Sequence, residues 1–149
     1  MAGHNTSKLN RLLGSWPPGT VGTQPWLESH GIYRQLAAEY VKGHWLERIG
    51  TGAFVRSGDK VGWPGGLFAI QEQLNVLVHV AGKSALELWG YGHFVTREEE
   101  RALHLGGAPK THLPRWFLSY DWGVTIRFFP SALFKGDQGM GLTAREVQA

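Results

Sequence analysis

Ile32-Tyr33-Arg34-Gln35-Leu36-Ala37-Ala38-Glu39-Tyr40-Val41-Lys42, closed by Gly43, is the stretch on which the fold turns. At about 100° per residue Ile32, Leu36 and Tyr40 share one face of a helix, and that face belongs to a core. On the opposite side Arg34, Ala38 and Lys42 recur at i, i+4 and i+8, with Gln35 beside them. The exposed stripe is basic and polar with a small residue at its centre. Such a stripe suits close approach to a DNA groove, although exposed basic residues are ordinary on any helix.

Upstream, Ser7 is placed to cap a short helix whose Leu9, Leu12 and Leu13 fall at i, i+3 and i+4, and Gly14 with Pro17-Pro18-Gly19 ends it. Thr23 or Thr20 caps a second helix with Pro25 in its first turn, where a missing N–H costs nothing. Trp26 and Leu27 give it a buried side, and Gly31 closes it. Downstream, Trp45-Leu46-Glu47-Arg48-Ile49 and Ala53-Phe54-Val55-Arg56 flank Gly50-Thr51-Gly52, which reads as a hairpin with imperfect alternation. Three helices and then a hairpin carrying Arg48, Arg56 and Lys60 is the order of a winged helix-turn-helix. A small helical core with an incidental hairpin fits the same pattern.

Beyond the loop at Ser57-Gly58-Asp59-Lys60, Pro64 opens a helix with Leu67, Ile70 and Leu74 at spacings of three and four, interrupted by two glycines. Val76–Val80 reads as a strand, Ser84-Ala85-Leu86-Glu87 as a capping box opening a short helix to Trp89, and Ala102–Leu105 and Val124–Phe129 as further strands. The expected class is α+β: a winged helix-turn-helix over residues 1–62, then a partial mixed α/β domain over 63–149.

The 149 residues are 42% hydrophobic, enough for one domain or two small ones, and the 21 glycines and seven tryptophans imply tight turns and large apolar anchors. Trp45 and Trp63 read as core anchors rather than as base-stacking platforms. No cysteine is present, which removes disulfides, thiolate zinc sites and cysteine nucleophiles and favours the cytosol. The polar N-terminus and the lack of a long apolar run point to a soluble cytoplasmic protein with no membrane partner. Residues 1–62 hold seven Lys/Arg against four Asp/Glu and residues 63–149 eight against eight, so the net charge of +3 arises in the first half. Charge of this size supports a polyanionic partner only weakly.

Three motifs invite chemistry and each has a plainer reading. Gly82-Lys83-Ser84 lies between a strand and a helix, as in a phosphate loop, but Leu77 stands where that loop needs its first glycine, so a capped turn is preferred. His79, His93, His104 and His112 lack the spacing of a helical metal pair. Glu98-Glu99-Glu100, between Arg97 and Arg101, reads as a solvated turn or helix end. No catalytic residue, metal or cofactor is assigned, and no enzyme activity is expected.

Several segments, in order, resemble the AbiEi-type antitoxin family. They are Leu9–Leu13, Pro18–Val21, Gly31–Leu36, His44–Gly50, His79–Leu88, Gly90–Phe94 and Leu113–Phe117, within a likeness running from about Leu9 to Leu142. The resemblance implies a winged-helix transcriptional repressor that regulates its own phage-defence toxin–antitoxin operon and opposes a nucleotidyltransferase toxin without binding it. Tyr33 stands where the family commonly has a capping Ser. The family's second domain continues past the position of Ala149, so residues 63–149 are expected to be its incomplete start, and toxin neutralisation to suffer before repression.

The expected partner is double-stranded operator DNA, an inverted repeat bound by two modules through self-association or paired binding, because one module reads few base pairs. The expected contacts are Arg34, Gln35, Ala38 and Lys42 from the third helix in the major groove, and Arg48, Thr51 and Arg56 from the wing. Two other readings fit the same residues: a winged-helix interaction adaptor that does not bind DNA, and a small nucleic-acid enzyme built on the second half.

Overall fold

The structure, a computed structural model, describes residues 2–81 and 101–131. The expected helix at Ser84–Trp89, the Gly82-Lys83-Ser84 turn, His93 and the Glu98–Glu100 run lie outside the described residues. In chain order the elements are α1 (Ala2–Ser15), β1 (Gly22–Thr23), α2 (Gln24–Ser29), α3 (Arg34–Lys42), β2 (Leu46–Gly50) and β3 (Ala53–Arg56). There follow α4 (Trp63–Phe68), continued by a π-helical turn over Ala69–Gln73, then β4 (Val78–Val80), β5 (Ala102–Gly107), α5 (Arg115–Ser119) and β6 (Thr125–Pro130).

The first six elements form a winged helix-turn-helix, with a three-stranded antiparallel sheet of order β1-β3-β2 behind the helices. Their core gathers Leu9, Leu12, Trp16, Leu27, Ile32, Ala37, Tyr40, Leu46 and Phe54. α1 begins upstream of the expected start, so Ser7 lies inside the helix and does not cap it. The leucine spacing defines which face is buried, and no proline stands in Met1–Thr6 to halt the helix before Ser7. α2 starts as expected: the backbone N–H of Trp26 donates to the Thr23 hydroxyl at 3.4 Å, and Pro25 sits in the first turn.

The hairpin pairs Leu46 with Arg56, Glu47 with Val55 and Arg48 with Phe54, then shifts register so that Gly50 faces Ala53. That irregularity is why the in/out alternation of β2 looks imperfect in sequence. The pleat sends Phe54 into the helical core and Ala53 and Val55 into a second core.

The second core joins Val21, Ala53 and Val55 to Leu67, Ile70, Val78, Val80, Leu103, Leu105, Leu113, Trp116 and Phe117. Its own sheet has order β4-β5-β6, with β4 antiparallel and β6 parallel to β5. α4 carries the two glycines that interrupt its apolar pattern because nothing larger fits. A Cβ on Gly65 would overlap the Gly19 carbonyl oxygen, and one on Gly66 would stand 3.1 Å from the Phe117 and Trp122 rings. Gln73 closes the outer edge of β1: its Oε1 accepts from Thr23 N at 2.8 Å and from the Thr23 hydroxyl at 2.9 Å, while its Nε2 donates to Val21 O at 2.9 Å. One side chain thus satisfies the backbone that a fourth strand would otherwise pair. Among the described residues, no helix is long and apolar enough to cross a membrane.

Candidate nucleic-acid interface

The helix-turn-helix is fixed by short-range bonds at its corner. Gly31 takes φ +82°, a left-handed value that a residue with a Cβ resists, and lets Gly31 N reach Glu28 O at 2.9 Å while Ile32 N reaches Leu27 O at 2.8 Å. Lys8 of α1 donates to Gly31 O at 3.3 Å and ties the first helix to the corner. Buried Gln24 links the other side: its Nε2 donates to Glu28 Oε2 at 3.1 Å and to Ile32 O at 3.4 Å, and its backbone N–H donates to Gly52 O at 2.9 Å. The corner and the hairpin tip are therefore held through one residue.

On α3, Ala37 and Tyr40 are buried and Leu36 half-buried, while Arg34, Gln35, Glu39 and Lys42 are exposed. With Ala37 in the core, the centre of the open face moves from Ala38, which is half-buried, to Gln35 and Lys42. Arg34 and Ala38 flank that centre on one side and Glu39 on the other, as about 100° per residue requires. Tyr33 is the N-cap of α3 in extended backbone, its side chain makes no capping bond, and it is 61% exposed. In the sequence Tyr33 stands out only as a missing cap, although its place one residue after the buried Ile32 is a signal that it points outward. Beneath the helix, the Tyr40 hydroxyl is buried without a hydrogen-bond partner among the described residues. Burial first, and the neighbouring Glu39 carboxylate second, push its pKa above the ordinary tyrosine value.

The three expected wing residues occupy different settings. Arg48 is exposed, with its guanidinium carbon 5.1 Å from the centroid of the Phe54 ring, a cation–π contact that holds it on the helical side of the hairpin. Thr51 is exposed at the tip. Arg56 stands at the far end of β3, opposite Leu46, and is half-buried, with Nη2 3.5 Å from Asp59 Oδ2, which also accepts from Gly19 N at 2.9 Å. The structure thus brings Arg34, Gln35, Lys42, Arg48 and Thr51 to open surface and commits Arg56 to an internal pair.

Trp45 departs from its expected role as a core anchor: it is 53% exposed. His44 takes φ +64° and turns the chain out of α3, and the Trp45 ring folds back over the helix end, where a Cβ on Gly43 would meet Trp45 Cδ1 at 3.1 Å. Trp63 is half-buried and packs against the second core.

Comparison with known proteins gives two positive findings. A family model described as "Transcriptional regulator, AbiEi antitoxin N-terminal domain" matches residues 5–97. The fold is similar to the crystal structure of RV2827C protein from Mycobacterium tuberculosis, at 21% identity and a TM-score of 0.52, over 86% of this chain and 46% of that one. At that identity the likeness concerns the fold alone, and the chain spans less than half of its structural neighbour. No curated protein sequence matches it.

Proposed function

Because the chain belongs to the AbiEi antitoxin N-terminal transcriptional regulator family, we propose that it represses its own promoter by inserting α3 into the DNA major groove. The observation that carries this reading is the open face of α3, where Gln35 and Lys42 stand outermost beside Arg34 on a helix braced by the Gly31 corner. Arg48 and Thr51 extend the contact along the hairpin. Guanidinium and ammonium groups so placed neutralise phosphates, and Arg34 or Gln35 can present paired hydrogen bonds to a base edge. Two copies on an inverted repeat give the specificity that one module lacks. The protein acts by binding, in the cytoplasm, and not as an enzyme.

The same membership supports an operon reading. Repression tunes a phage-defence toxin–antitoxin pair, and the chain opposes a nucleotidyltransferase toxin without forming a complex with it. The test is a mobility shift on the DNA immediately upstream of its reading frame, run beside random duplex. Between about 50 and 200 mM salt, an interface neutralising about four phosphates loses about two orders of magnitude in affinity. Binding that ignores salt, or that treats both duplexes alike, would contradict the repressor reading. Survival of cells expressing the toxin, scored with and without this chain alongside a pull-down, tests the opposition separately.

A further inference from the structure

We infer that Arg115, the first residue of α5, is a phosphate contact that carries the DNA interface from the wing onto the second half of the chain. This rests on the proposed DNA binding, and it adds a residue outside the helix-turn-helix and its hairpin.

The placement follows from the closest approach between the two halves. A Cβ on Gly50 would stand 2.6 Å from Trp116 Cβ and 3.1 Å from Trp116 Cα, so α5 lies directly against the last residue of β2. Thr51 and Arg115 are each one Cα step, about 3.8 Å, from the two residues in that contact. Trp116 and Phe117 are buried in the second core, whereas Arg115 is exposed. The helix is therefore anchored by its second and third residues and offers its first to solvent beside the hairpin tip.

Charge adds an independent argument. Residues 102–120 contain Lys110 and Arg115 and no Asp or Glu, and Asp121, just past the end of α5, accepts from Gly123 N at 3.0 Å. Among the described residues Arg115 is in no ion pair, and Glu47, exposed on the Val55 side of β2, does not reach it. A cation in the first turn of a helix also opposes the helix dipole, so stability of α5 does not call for arginine there. Arg48 lies on the helical side of the hairpin and Arg115 on the opposite side, with Thr51 between them at the tip. A guanidinium on each flank suits the phosphates bordering a groove that the tip approaches.

The experiment titrates the full chain against a labelled duplex copied from the DNA immediately upstream of its reading frame, and against random duplex of equal length. At about 0.1 M salt the Arg115→Ala variant should bind both about eightfold more weakly, with a salt slope smaller by about one. Arg115→Lys should keep most of the affinity, and the thermal midpoint of both variants should match the wild type because the side chain is exposed. Wild-type affinity and slope in Arg115→Ala, beside a loss in Arg34→Ala, would overturn this inference and leave the DNA-binding reading standing. A loss on the upstream duplex alone would overturn the phosphate assignment. Failure of the wild-type chain to bind either duplex would overturn both readings together.

Discussion

The third helix and the hairpin that follows it share a core, yet only the helix keeps a whole face open. α3 buries Ala37 and Tyr40 and leaves Arg34, Gln35 and Lys42 to solvent. The hairpin gives Phe54 and Leu46 to the helical core and Ala53 and Val55 to the second, and its last β2 residue is pressed against Trp116. A helix has one core-facing stripe, so its other side is free by construction. A strand has two faces, and a second layer that arrives from elsewhere in the chain can claim the one that local pattern leaves unassigned. The hairpin is thus less a projecting wing than a shared wall, open at its edge and tip.

The largest effect is expected at Trp116. If the hairpin is a wall between two cores, Trp116→Ala should cost about 3–5 kcal/mol, as large-to-small changes in cores do. Chemical denaturation measures this, and a loss within the range of surface substitutions, about 0.5 kcal/mol, would mean that the hairpin stands without its backing. Gln73→Ala should follow at about 2–4 kcal/mol, because it deprives two buried backbone groups, Thr23 N and Val21 O, of their bond to its amide. A silent Gln73→Ala would show that the edge of β1 finds other partners.

On the open face of α3 the expected pattern reverses. Arg34→Ala should change stability by no more than about 0.5 kcal/mol while weakening binding to the upstream duplex by about 1–3 kcal/mol and relaxing preference at one base pair. Equal losses on specific and random DNA would reassign Arg34 to a phosphate.

The smallest effect is expected under that helix. Tyr40→Phe removes a buried hydroxyl that has no partner among the described residues, so stability should hold or rise by up to about 1 kcal/mol. The folded pKa is raised, so as pH climbs past the ordinary tyrosine value of about 10 the unfolded chain releases its proton first and binds fewer protons. Stability is therefore full below that value and falls above it. Unfolding followed across the alkaline range should show this fall in the wild type and a shallower one in Tyr40→Phe. An identical slope in the two would place the hydroxyl's ionisation outside the stability of the fold.

Much of the helical half was legible in sequence because its signals are local. Leucine and aromatic spacing defined the buried faces of α1 and α3, Thr23 and Pro25 marked the start of α2, and Gly31 marked the corner. The same locality made Arg34, Gln35, Lys42, Arg48 and Thr51 readable as exposed candidates. Arg56 was readable as the end of a strand but not as the partner of Asp59, because that pair depends on how the loop after β3 folds back toward Gly19. The exposure of Trp45 is not legible in sequence, since a large apolar residue beside a strand reads as a core anchor until His44 adopts φ +64° and turns it outward. The helix α5 carried no periodic signal in five residues.

The class of the fold, the order of helix, corner, helix and hairpin, and the basic open stripe on α3 are written locally in the chain. Each of these follows from periodicity, capping and turn chemistry acting over a few neighbouring residues. That the hairpin is walled on both sides, that Gln73 stands in for a missing strand, and that Arg115 comes beside the tip emerge only once the chain is folded. Those outcomes join residues about 50 or more positions apart. Pairing across such separations is set by which surfaces exclude water together, which no local pattern encodes.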